Sequence, residues 1–456
     1  MNKTILSLIF AILITGSTFG AEHRSIRDAL EIGTKIRNAW PTRVLASNPE
    51  KNINKPGIRI LRGKHLILYT DIPQSKEIDE LPEIFDAAVP LWCEFFRIDP
   101  KLADNWKMLG VLVEDFKNFD GTPLLKEVPA LRHGYSIGQL LWIREQKSNY
   151  YRRHLLLHEG VHGFMNNFFG FCGPRWYMEG LAELLGTHNW DDEKRTLSIS
   201  WMPQNRDEIQ LWGRIRLLQQ FIRKNEGLTL ETVLTMPFNE SDDTYSYAWC
   251  WGAASFLNGH PLYKNMLRDY APDISDKDFT QRFIDGLNSK ENGRFRSDWI
   301  NYISDIEYGY DFEHSAIKSF TSGKRFGNQA ETLEIRSDSG WQNSGFLVEK
   351  GKSYTFTAIG RFQLGKEKNG VIWWSEPDGV TIKYYRGKPL GALIGAAAST
   401  DVNSDFNDPD GFASPFLIGA STVWKCPATG TLFLRVNDSP DQLEDNSGNV
   451  QVRISK

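Results

Sequence analysis

The segment "LLLHEGVHGFM", Leu155 to Met165, places two histidines and a glutamate inside an apolar run. Burying such groups is costly unless they find partners. On a helix, His158 and His162 stand about 6 Å apart along the axis and about 40° apart in azimuth, so their imidazoles converge on one point. A zinc ion (Zn2+) fits there, and Glu159 between them can take the proton of a water beside the ion as general base. The next helical stretch, "PRWYMEGLAELLG", offers Glu179 as third ligand. Two imidazoles and one carboxylate leave a position open, which is the mark of a catalytic zinc rather than a closed structural one. Glu183, one turn beyond Glu179, is expected to accept the outer N–H of a ligand histidine, the alternative being a solvated helix carboxylate. His154 is in phase with the motif histidines, but a third imidazole would crowd one ion. We therefore expect His154 and His188 to be packed or capping residues.

The elements that must hold these groups are mixed. "IRILRGKHLILYTD" reads as β-rich, "LPEIFDAAVPLWCEFFRI" has a helical period, and "KMLGVLVED" is a strand. "GYSIGQLLWI" is expected as an edge strand. After the motif the pattern turns helical: "LWGRIRLLQQFIRKNEG" sets Leu211, Ile215, Leu218 and Ile222 on one face, with Gly227 as expected C-cap. From about residue 330 the chain alternates in short strands such as "SYTFTAI" and "TLFLRV". The divisions we expect are a leader over 1–20, an N-terminal extension over 21–57, a first domain over 58–310, a linker over 311–330 and a β domain over 331–456.

"HEGVH" followed by the "EG" of "WYMEGLAELL" resembles the gluzincin branch of HExxH zinc metallopeptidases, which includes aminopeptidase N-like and peptidase-MA-like domains. The resemblance implies an α+β zincin-like catalytic domain, with a mixed N-terminal sheet, an active-site helix and a helical C-terminal lobe. It implies His158, His162 and Glu179 as zinc ligands and Glu159 as catalytic base. "YAWCWGAASFL" resembles the family's later helix bearing an oxyanion-stabilising tyrosine, which nominates Tyr247 with Tyr245 in reserve. The same likeness makes "GYSIGQLLWI" the edge along which a peptide substrate lies as an added strand. No GAMEN-type exopeptidase segment stands in the sequence, so endo- and exopeptidase action both stay open.

"NDSPDQLEDNSG" is similar to the calcium and sugar loop of PA-IL-like galactophilic lectins, and "PLGALIG" with "GWQNSGFLVEKGKSYTFTAIG" extends the likeness over 331–456. This implies an all-β jelly-roll or sandwich domain that binds calcium (Ca2+). The implied side-chain ligands are Asp438, Asp445 and Asn446, with carbonyls of Gln442 and Leu364. Glu376 and Asp378 stand where the lectins carry sugar-contacting residues, so the sugar is not fixed. Trp373 and Trp374 are expected inside the sandwich, with stacking on a sugar ring as the alternative.

Bulk properties bound the partners. The 456 residues carry 53 Lys plus Arg against 57 Asp plus Glu, a net charge of -4 that gives no basic field for nucleic acid. "MNKTILSLIFAILITGSTFG" has the layout of a secretory signal peptide, and its apolar core falls short of the roughly 20 residues of a spanning helix. We therefore expect a secreted, periplasmic or cell-surface protein without a membrane span, whose partners are a peptide or glycoprotein substrate and a glycan. Export permits disulfides among Cys93, Cys172, Cys250 and Cys426. A Cys172–Cys250 bridge is the first pairing to test, buried thiols the alternative. The function expected from these readings is a zinc metallopeptidase with a calcium-dependent lectin-like domain. The rival is a glycan-binding protein on a degenerate zincin scaffold.

Overall fold

The computed structural model describes residues 55–125, 131–237, 243–327, 329–367, 369–399 and 411–456. The leader and most of the 21–57 extension lie outside the described residues. The first domain begins with a sheet of β1 (Arg59–Arg62), β2 (Leu66–Thr70), β3 (Met108–Val113), β4 (Gly134–Ile137) and β5 (Leu140–Arg144), in the order β1-β2-β3-β5-β4. β2, β3 and β5 run parallel, and β1 and β4 are antiparallel at the two edges. The central strand β3, MLGVLV, is almost wholly buried, as a strand covered on both faces must be.

"GYSIGQLLWI" forms a hairpin rather than a single strand. Gly138 adopts φ 58, a left-handed turn that costs glycine nothing, so only β4 occupies the edge.

Two helices lie against the sheet. α1 (Leu81–Phe96) buries Ile84, Phe85, Ala88 and Trp92, and α2 (Asn149–Phe169) carries the HEGVH motif. α2 starts where the Ser148 hydroxyl accepts the Tyr151 N–H at 3.2 Å and stops at Gly170 with φ 74. It is buried on nearly every side. Gly160 makes this possible, because a Cβ there would lie 2.6 Å from Phe85 and 2.7 Å from Trp92.

The helical lobe follows as α3 (Arg175–Gly186), the hairpin β6 (His188–Asp191) and β7 (Thr196–Ile199), α4 (Arg214–Arg223), α5 (Asp243–Gly259), α6 (Phe279–Ser289) and α7 (Phe295–Ser304). α4 is shorter than the periodicity predicts. Leu211 precedes it at φ 70 and is 64% exposed, while Ile215 and Leu218 are buried. Gly213, also left-handed, resets the chain before the helix, which ends at Lys224 rather than near Gly227.

The four cysteines are free and buried, so Cys172 and Cys250 form no bridge. The Cys172 thiol, just past the end of α2, donates to the His162 carbonyl within that helix, and burial pushes it up to about 12.

The β domain holds two sheets. One contains β8 (Lys324–Arg325), β10 (Gln342–Val348), β14 (Asp378–Tyr385), β15 (Lys388–Ala398), β16 (Phe416–Leu417) and β18 (Gly430–Val436). The other contains β9 (Glu331–Arg336), β11 (Ser353–Ile359), β17 (Ser421–Lys425) and β19 (Asn449–Ser455), and β12 (Phe362–Lys366) pairs with β13 (Ile372–Ser375). Leu393, Leu432, Leu434 and Val436 meet Ile335, Phe356, Val450 and Val452 in one core, a two-layer sandwich. β8, from the segment expected as linker, pairs with β10. The outer face of β15 and β18 packs Ile394, Ala396 and Phe433 with Ile300 of α7 and Ile317. Beside this seam Asp305 pairs with Arg435 at 2.6 Å and Arg386 at 2.9 Å.

Candidate metal centre

α2 and α3 bring three of the predicted side chains to one place. His158 Nε2 and His162 Nε2 face each other at 3.2 Å, and Glu179 Oε2 lies 3.3 Å from the first and 3.5 Å from the second. All three residues are buried. Atoms bound about 2.05 Å from a tetrahedral zinc ion stand about 3.3 Å apart, so the spacing is that of a ligand set around one such ion. Glu179 Oε2 is buried with no hydrogen-bond partner, as is His162 Nδ1. An orphaned carboxylate oxygen aimed at two imidazole nitrogens leaves the site wanting a cation.

The electrostatics agree. Burial opposes charge on His158, but Glu179, Glu159 and Glu183 outweigh it and raise the imidazolium to about 9. Burial likewise opposes the Glu179 carboxylate, yet His158 and His162 hold it down at about 2. Without an ion, a proton on His158 supplies the positive charge that the carboxylates demand.

Glu159 is buried and turns toward the edge strand: a Cβ added at Gly134 of β4 would lie 2.5 Å from its Oε1. Gly134 thus leaves the room in which that carboxylate stands, next to the edge of the sheet.

Glu183 is 1% exposed and not a solvated carboxylate. Its Oε1 stands 3.5 Å from His158 Nδ1 and its Oε2 3.5 Å from His154 Nε2. It is held by Arg214, whose Nη2 and Nε donate to the two oxygens at 2.8 and 2.9 Å. Burial raises the energy of the Glu183 anion, but Arg214 and His154 keep it well below the usual carboxylate range. Arg214 also lies over the Tyr247 ring, 5.6 Å from its centroid. Sequence reasoning did not find this arginine, because a lone cation at the start of an amphipathic helix reads as a solvated residue.

Tyr247, on α5, packs edge-on to His158 with ring centroids 5.9 Å apart. Tyr245 points elsewhere, onto Phe221 at 4.7 Å, so only Tyr247 flanks the centre. α5 is held close to α3 at Gly180, where a Cβ would come within 3.0 Å of the Cys250 carbonyl. His154 is a packed residue, its Nδ1 2.9 Å from the Gly186 carbonyl and its ring stacked on Tyr151. His188 stacks on Tyr150 and lies 2.8 Å from the same carbonyl.

In the β domain, Asp438 is buried and accepts the Ser439 N–H at 2.8 Å and the Asn446 Nδ2 at 2.9 Å. Burial lifts its carboxyl to about 6, with Asp445 adding to the effect. Asn446 Oδ1 is buried without a hydrogen-bond partner. Asp445 is exposed and stands against β12, where a Cβ at Gly365 would lie 2.9 Å from its Oδ2. Gln442 lies in the same loop and its side chain turns to Asp441. Leu364 has its side chain in the core, on the strand that pairs with Ser447 through Gln363.

Of the two tryptophans, Trp373 packs against the sandwich core and Trp374 lies outside it. Trp374 is 46% exposed and Trp373 half-buried, with Arg361 and Lys383 over their rings. Asp378 accepts the Ala420 N–H at 2.6 Å and so braces a turn.

No protein-family model matches the chain, and no curated protein matches it. Among solved structures, the EclA N-terminal domain, a PllA-like lectin, is 21% identical over 27% of this chain and 93% of that chain, with a TM-score of 0.20. The IMPa metallopeptidase from Pseudomonas aeruginosa is 12% identical, with a TM-score of 0.17. The same enzyme in complex with an O-glycopeptide is 11% identical, also at 0.17. The chain spans 57% of the length of either IMPa structure. At these TM-scores the likenesses assign neither fold nor activity.

Proposed function

We propose that this chain is an exported zinc metallopeptidase, with residues 58–310 as a zincin-like catalytic unit and 331–456 as a calcium-dependent, carbohydrate-binding jelly-roll unit. The observation that carries the reading is the convergence of His158, His162 and Glu179 at 3.2 to 3.5 Å around an orphaned carboxylate oxygen. Those three residues would hold the metal. When bound, zinc supplies a Lewis acid for the scissile carbonyl and makes a neighbouring water acidic.

The chain's own groups do the rest. Among the described residues β4 is an edge strand, on which a peptide adds as a further strand with its carbonyl brought to the Glu159 end. Glu159 takes the proton of the attacking water and passes it to the leaving amine. The Tyr247 hydroxyl donates to the oxyanion of the tetrahedral intermediate. Glu183, fixed by Arg214, orients His158 from behind.

In the β domain, Asp438, Asp445 and Asn446, with the Gln442 carbonyl, are the proposed calcium ligands. The buried and partnerless Asn446 Oδ1 beside the Asp438 carboxylate supports this. A glycan held there would raise the local concentration of a glycoprotein substrate at the catalytic unit.

Glu159→Gln tests the enzyme directly. We expect zinc content to be unchanged and hydrolysis of casein or a peptide library to be lost. Equal turnover by the wild type and Glu159→Gln would refute catalysis at this site. Absence of turnover in the zinc-loaded wild type would favour the glycan-binding scaffold.

A further inference from the structure

A cavity of about 540 Å³ opens between the N-terminal end of α2 and the turn before α4. Lys147, Arg206 and Arg216 line it together with Asp207, Leu211 and Tyr308. All three cations are exposed, and none forms an ion pair with a described residue. Arg206 and Arg216 both bear on the half-buried Tyr308 hydroxyl. Like charges gathered in a concave site raise the local concentration of a counter-charge.

The rim is built rather than loose. The Ser148 hydroxyl donates to the Gln210 carbonyl at 2.9 Å and ties the turn to the cap of α2. Leu211 is then held at φ 70, a conformation that bulky residues adopt only when the surroundings fix it. Its exposed side chain places an apolar surface beside the cations.

The cavity is linked to the proposed substrate edge along the chain. Gly134, the end of β4 beside Glu159, pairs with Ile143 of β5, and the chain runs on from β5 through Lys147 into α2. From Ser148 to His158 is about 15 Å along the helix, a distance that an extended peptide covers in about five residues.

We infer that this cavity is an anionic subsite that takes a carboxylate carried by the substrate about five residues from the scissile bond. Its description as a substrate subsite rests on the peptidase reading; its selectivity for anions does not. The carboxylate can come from an acidic side chain or from an acidic sugar attached to the peptide.

The test reads binding without turnover. Zinc-loaded Glu159→Gln protein is titrated with two rhodamine-labelled peptides of one sequence, one glutamate-bearing and one glutamine-bearing. We expect the acidic peptide to bind about tenfold tighter at low salt. The preference should shrink with added salt and vanish in the further variant Arg206→Gln/Arg216→Gln. Displacement of the acidic peptide by free N-acetylneuraminic acid would assign the subsite to a sugar acid; no displacement would assign it to a side chain. Equal binding of the two peptides, or a preference that survives the double substitution, overturns the inference. If the protein with Glu159 intact hydrolyses neither peptide while the acid preference stands, the peptidase reading fails and the subsite does not.

Discussion

Arg214 and Glu183 make a buried ion pair whose worth lies in what it holds rather than in its own energy. A buried pair gains little over apolar residues, but removing one partner strands the other charge at a cost of about 3–5 kcal/mol. Arg214→Met should therefore lower the unfolding free energy by about that amount in urea. It should also weaken zinc binding about 10- to 100-fold in a chelator competition, because His158 loses its fixed support. Unchanged zinc affinity in a folded Arg214→Met protein would show that Glu183 does not position the ligand.

Tyr247→Phe is expected to lower kcat about 10²- to 10³-fold with KM unchanged, as the loss of one oxyanion donor does. Tyr245→Phe should leave kcat alone, since that ring packs on Phe221.

The proton on His158 gives a pH signature. In metal-free protein it is held to about 9, against an ordinary value near 6.5, so below pH 9 zinc must displace a proton. Apparent zinc affinity should rise about tenfold per pH unit up to about pH 9 and level off above it. A pKa raised by folding adds stability below the unfolded value, so metal-free protein should lose stability as pH rises through about 9. A pH-independent zinc affinity between pH 6 and 8 would exclude the protonated His158.

Among the elements, α2 and β4 carry the site, and glycines set how closely they approach. Gly160→Ala drives a methyl into Phe85 and Trp92, ring atoms that cannot swing away, and should cost about 1–3 kcal/mol of stability in denaturant titration. Gly134→Ala is predicted to behave differently. The strand is at an edge and should stay folded, but the new methyl meets the Glu159 carboxylate, so turnover should fall about 100-fold with zinc retained. Full activity in Gly134→Ala would place the general base elsewhere.

These two elements also show what could be read in advance. The convergence of His158, His162 and Glu179 was legible because i and i+4 on a helix fix a geometry by themselves, and α3 follows after only a short turn. Glu159's approach to the strand edge, the hairpin at Gly138 and Arg214's pairing with Glu183 were not legible. Each depends on contacts between segments distant in the chain. The start of α4 was misread because Leu211 fits the apolar period while its backbone, at φ 70, does not continue the helix. The placing of Trp374 was misread because a tryptophan's size predicts burial only where a second layer covers it, and among the described residues β13 pairs only with β12.

Over the whole molecule, the two domains are joined through Asp305. Its carboxylate pairs with Arg386 and with the buried Arg435, which in turn donates to the Asp438 carbonyl at 2.5 Å. The same arginine therefore touches the helical lobe and the proposed calcium loop. Asp438 makes that loop sensitive to pH. Folding raises its pKa from 3.8 to about 6, so the folded state binds the proton more tightly. Without calcium, stability should fall by about 3 kcal/mol as pH rises from about 4 to about 6. Added calcium should raise the melting temperature clearly at pH 7.5 and much less at pH 5, where a proton already occupies the carboxyl. Equal calcium shifts at both pH values, or none, would remove Asp438 from the ligand set.

The central claim is one zinc ion held by His158, His162 and Glu179. X-ray absorption at the zinc edge of the reconstituted protein measures this directly. We predict a single four-coordinate site of nitrogen and oxygen donors at about 2.0–2.1 Å with the multiple scattering of two imidazoles, lost in His158→Ala/His162→Ala. A spectrum dominated by sulfur, a site with no imidazole scattering, or one unchanged in that variant would contradict the account.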